Sequence, residues 1–112
     1  MAESKHYITQ IQENGSVMIS DQVLVNIIFQ AVGEVEHVSL SGKPGMNWGK
    51  GIRILIDEED HVDVKVYINV SYGTSVTDAA DAVQESVRTA LESMTGVTVN
   101  SVNVDVVGIT RQ

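Results

Sequence analysis

Apolar and polar residues alternate most regularly between Val62 and Tyr72, where Val62, Val64, Val66, Ile68, Val70 and Tyr72 are separated by Asp63, Lys65, Tyr67, Asn69 and Ser71. Strand side chains point to opposite faces in turn, so a period of two predicts a strand with one buried face and one wet face. Ile52 to Ile56 is a second strand-like run, and Asp57-Glu58-Glu59-Asp60 between the two reads as a hairpin turn. Beyond Gly73 and Thr74 the period changes. Ser75, with Asp78 three residues on, reads as a capping box. Val76, Ala79, Ala80, Val83, Val87, Ala90, Leu91 and Met94 then share one side of a predicted helix, with Asp81, Gln84, Glu85, Arg88 and Glu92 on the other. Gly96 supplies its stop. Val102, Val104 and Val106 alternate again as a last strand. Val97 and Val99 have the opposite parity, which predicts a bend or bulge near Asn100-Ser101.

Upstream the pattern is weaker. The first ten residues are of mixed polarity, Glu13-Asn14-Gly15 is a turn signal, and Ser16 to Ile19 reads as a short strand. Ser20 suits a helix N-cap and Asp21 the positive helix end, with the helix running to about Val32 and ending near Gly33. Val23, Leu24, Ile27, Ile28, Ala31 and Val32 form its apolar face, but Val25 and Phe29 widen the arc beyond what covering a sheet requires. The surplus has two readings, cover by a strand or loop, or a protein contact surface. Val35 to Leu40 resembles a short strand, and residues 41–51 are a loop containing four glycines, the one proline and the one tryptophan.

The elements run β-α-β-β-β-α-β. The expected fold is α+β in two layers, an antiparallel-rich mixed sheet of four to five strands with both helices on one face. Residues 15–112 are expected to form a single domain after a partly ordered segment, 1–14, with order beginning near Tyr7 or later. At 112 residues the chain has room for one core.

Composition narrows the functions. Fifteen acidic against seven basic residues give a formal charge of −8, a field that repels phosphate backbones and anionic lipid. Nucleic acid and direct membrane insertion are therefore not expected. No apolar run approaches the roughly 20 residues of a membrane span, and a cytoplasmic location is expected unless a partner carries the chain to a membrane. Without cysteine, disulfides and thiolate chemistry are excluded.

Candidate chemistry fails on its details. The loop from Gly42 to Gly51 departs from a phosphate-binding loop, with three residues between Gly45 and Gly49 and Gly51 after Lys50. Gly42-Lys43-Pro44-Gly45 spells the GxxG of KH modules but joins strands in an acidic chain. Gly73-Thr74-Ser75-Val76-Thr77 has Thr77 where a nucleophile elbow needs glycine. His6, His37 and His61 lack the spacing of metal ligands, and Asp57 to Asp60 lacks the spacers of a calcium loop. No catalytic residue, metal or cofactor is expected. The contact candidates are Val25 and Phe29, with Met46 and Trp48 in the aromatic loop as an alternative.

Gly15-Ser16-Val17-Met18-Ile19-Ser20, Glu34-Val35-Glu36-His37-Val38, Lys50-Gly51-Ile52-Arg53-Ile54, Val66 to Gly73, Val83 to Val87, Leu91 to Gly96 and Val102 to Ile109 form an ordered set. Over roughly residues 15 to 109 this set resembles the alkaline shock protein family of Gram-positive envelope stress proteins. His37 stands where that family usually has glycine, and the loop around Pro44 and Trp48 is individual. The resemblance implies a non-enzymatic protein of envelope homeostasis and stress, held near the membrane by a membrane-anchored partner and forming homo-oligomers. The family offers no catalytic motif to carry over. The expected function is thus an interaction or scaffold protein, and the rival is a small-molecule-binding metabolic regulator with its ligand near the 42–51 loop.

Overall fold

A computed structural model describes residues 5–41 and 51–111. The element order is β1 (Tyr7–Gln12), β2 (Gly15–Ser20), α1 (Asp21–Gly33), β3 (Val38–Leu40), β4 (Ile52–Ile56), β5 (His61–Ser71), α2 (Val76–Thr95) and β6 (Thr98–Thr110). The α+β class is as expected, with one strand, β1, that the sequence pattern does not signal. It pairs with β2 as a separate two-stranded hairpin, while the other four strands form the main sheet.

β5 organises that sheet. Val62, Val64, Val66, Ile68 and Val70 are all buried, and the residues between them are partly exposed, as the period of two requires. One edge of β5 pairs in parallel with β6, and α2 is the crossover between them. The other edge is shared end to end by β4, opposite 62–66, and β3, opposite 68–70. Leu40 faces Ile68 and Ile52 faces Val66, so the chain leaves this edge at Ser41 and returns at Gly51 opposite the same residue, Tyr67. Ser41 N–H donates to the Tyr67 carbonyl and Tyr67 N–H to the Gly51 carbonyl, both at 2.8 Å. Gly51 adopts φ +77°, and a Cβ there would lie 2.3 Å from the Ser41 carbonyl oxygen, so only glycine closes this neck.

The helices pack on the buried face. Leu24, Ile28 and Val32 of α1 and Val83, Val87 and Leu91 of α2 are fully enclosed against β4, β5 and β6. Ser20 caps α1, its Oγ accepting from Val23 N–H, and Ser75 caps α2 by accepting from Asp78 N–H. Gly96, at φ +72°, ends α2 in the left-handed conformation, its N–H donating to the Glu92 carbonyl.

Three local features explain departures from strict alternation. β6 has a bulge at Asn100, where the parity break places it, and a second at Val107. β3 is shorter than the run from Val35 implies, because His37 takes φ +67° and turns the chain, while Val35 N–H still bonds back to Val32. At the β4–β5 turn Asp60 has φ +62°, and Asp57 Oδ1 accepts from the N–H groups of Glu59 and His61, both at 2.9 Å.

Candidate interaction surfaces

On α1, the flank flagged by the sequence divides. Val25 is half-buried against the core, whereas Phe29 is 40% exposed and Val23, on the opposite flank, is 44% exposed. The surplus arc is thus covered in part and open in part. Met46 and Trp48 lie outside the described residues, as does the rest of the loop where the rival reading puts a ligand.

The larger apolar exposure lies on the hairpin, whose contribution sequence reasoning missed. Paired residues of an antiparallel ladder share a face, so Tyr7, Thr9, Ile11 and Met18 lie on one side and Ile8, Gln10, Val17 and Ile19 on the other. Ile8 is buried in the main core and Ile19 packs against it, which ties the hairpin down by one face. The other face is open, with Tyr7 44%, Met18 66% and Ile11 89% exposed. The available signal was the Glu13-Asn14-Gly15 turn ahead of the strand-like run Ser16 to Ile19, which calls for a partner strand before it.

Polar contacts hold the root of this arm. Lys5 N–H donates to the Ile56 carbonyl at 3.1 Å, and the Lys5 ammonium pairs with the Asp60 carboxylate. Hydrogen bonding to Asp60 raises the Lys5 pKa from its ordinary value. Gln10 Nε2 donates to the Thr95 carbonyl at the end of α2. Asp57, in the adjoining turn, is held below the usual carboxylate range chiefly by the His61 N–H, with Glu59 N–H, the His61 charge and Asn100 helping against partial desolvation.

The histidines are dispersed. His6 Nδ1 lies 3.1 Å from Asp21 Oδ2, and His61 Nδ1 lies 3.9 Å from Asp57 Oδ2. His37 borders an open cleft of about 650 Å³ with Ser71, Tyr72, Gly73, Thr74 and Arg111, where the Arg111 guanidinium sits 5.7 Å from the Tyr72 ring centre. This cleft is at the far end of β5 from the arm. Ser75 is exposed and engaged as a cap.

A two-helix layer on a β5-centred mixed sheet, with a hairpin arm, defines a small α+β protein that exposes large apolar side chains on the arm and on α1. The chain belongs to the alkaline shock protein 23 family, described by a cell envelope-related function, whose model matches residues 9–111. It is 32% identical over 107 residues to the uncharacterized protein YqhY of Bacillus subtilis, covering 85% of this chain and 77% of that one. It is 30% identical over 105 residues to the uncharacterized protein Spy1535 of Streptococcus pyogenes, covering 88% and 81%. No solved structure matches it. Among the described residues no helix is long and apolar enough to cross a membrane.

Proposed function

We propose that this chain is a non-enzymatic interaction protein of the cell envelope, acting by self-association and by docking to a membrane-anchored protein partner. Family membership supports the envelope setting. The observation that carries the mode of action is the placement of large apolar side chains. Tyr7, Ile11 and Met18 on the arm and Phe29 and Val23 on α1 are among the large apolar side chains that stand open to solvent. Solvent contact at such side chains is unfavourable, and a partner removes it.

Two surfaces suit two roles: the arm for other copies and the Phe29 flank for the membrane-anchored partner. The test expresses the chain in a Gram-positive host and follows its recovery with washed membranes. Wild type is expected to sediment with them, to be released when the membranes are first treated with protease, and to be lost with Phe29→Glu. Recovery unchanged by protease would refute a protein anchor. Recovery unchanged by Phe29→Glu would refute the α1 flank as its site.

A further inference from the structure

We propose that the outer edge of β1 pairs with the same edge of a second copy, antiparallel about a two-fold axis at Thr9, joining two hairpins into one four-stranded sheet. This names the surface for the self-association inferred above and rests on that reading.

Antiparallel ladders alternate between pairs that exchange hydrogen bonds and pairs that do not. Tyr7 faces Ser20, which puts His6 opposite Asp21, and Asp21 N–H donates to the His6 carbonyl at 2.8 Å. His6 therefore belongs to a bonded pair, and by alternation so do Ile8, Gln10 and Gln12. The N–H and C=O groups of Tyr7, Thr9 and Ile11 then point away from β2. Lys5 has the same parity, and its N–H does point outward, onto the Ile56 carbonyl. Beyond Lys5, no backbone bond from another element reaches Tyr7, Thr9 or Ile11 among the described residues.

Three observations select a second copy as the occupant. First, the edge is self-complementary: a two-fold axis at Thr9 sets Thr9 against Thr9 and Tyr7 against Ile11. Threonine pairs and aromatic with β-branched pairs are both favourable across strands. All three positions present outward backbone groups, so each pair can exchange two hydrogen bonds. Second, β1 and β2 carry no charged side chain, although the chain as a whole carries −8. Like-charged copies repel through their bodies, and the strands of the arm, with Glu13 confined to the turn between them, are where they can meet without setting like charges side by side. Third, natural edge strands resist pairing by lysine, proline, bulges or covering side chains, and YITQIQ has no such residue or bulge. β6 does have cover: Arg88 donates to the Val99 carbonyl at 2.7 Å and Gln84 to the Val102 carbonyl at 3.1 Å.

Six residues of edge bury little area, so the pairing is expected to depend on concentration. The test is molar mass by light scattering across a dilution series of wild type, Thr9→Pro and Ile11→Lys. Proline at 9 removes the central outward donor without touching the β1–β2 ladder, and lysine at 11 enters a position already exposed to water. Wild type should rise above 12.1 kDa with concentration, and both variants should weaken the association by about tenfold or more. Unchanged association in either variant overturns the edge assignment while self-association stands. A wild-type mass fixed at that of one chain at every concentration overturns self-association itself.

Discussion

Along β6, side chains of α2 reach over and occupy outward carbonyls, Arg88 at Val99 and Gln84 at Val102. Along β1, the outward groups of Tyr7, Thr9 and Ile11 meet no such cover among the described residues, and the strand bears no charge. The remaining edge of the main sheet is broken instead, because β3 and β4 lie end to end and the chain leaves the sheet between Ser41 and Gly51. One molecule thus covers the start of one edge of its main sheet, breaks the other, and leaves the β1 edge of its arm without either device. Unpaired strand edges invite pairing. The uncovered, self-complementary edge of β1 is therefore the edge proposed as the contact site.

The largest effects should separate body from arm. Ile68→Ala, at the fully buried centre of β5, should cost about 3 kcal/mol in urea unfolding, whereas Ile11→Ala should cost less than about 0.5 kcal/mol. Equal losses would mean that the arm is part of the load on the core. Next comes the broken edge: Gly51→Ala should cost about 2 kcal/mol or more, since the new methyl meets the Ser41 carbonyl at a positive φ. Removing the guard by Gln84→Ala with Arg88→Ala should cost about 1 to 2 kcal/mol and should raise the tendency to associate, as light scattering would show.

Smaller effects probe the ends of β5. His37→Gly should stabilise by about 1 kcal/mol, because His37 holds φ +67° where glycine is unstrained, with a rise of about 4 °C in the melting midpoint. The smallest concerns the arm's root. Asp57 has a folded pKa below its ordinary 3.8, so its stabilisation is present above that value and is lost as pH falls through the folded one. Acid unfolding curves of wild type and Asp57→Asn should differ above that window and converge below it.

Where burial is one-sided, the sequence was readable. β5, β4 and α2 carry clean periods because one face of each meets the core, and the parity break between Val99 and Val102 located the bulge at Asn100. His37 adopts a left-handed backbone that shortens β3, a turn that the side-chain pattern from Val35 to Leu40 does not announce. Of the arm, β2 is legible as the run Ser16 to Ile19, but β1 is not: it is short and exposed on one face, so polar Thr9, Gln10 and Gln12 blur the alternation that a buried face would have enforced. The contact surface followed the same rule in reverse. Phe29 was visible because it breaks a helical stripe, but Val25 proved half-buried, and the outward parity of Tyr7, Thr9 and Ile11 exists only once the ladder to β2 is known.

Amide hydrogen exchange, read residue by residue at low and high protein concentration, tests the open edge most directly. Ile8 and Gln10, bonded within the hairpin, should be protected at both concentrations. Tyr7, Thr9 and Ile11 should exchange freely when dilute and slow together as the chains assemble. If these three amides stay unprotected in the assembled protein, copies of this chain meet through some other surface.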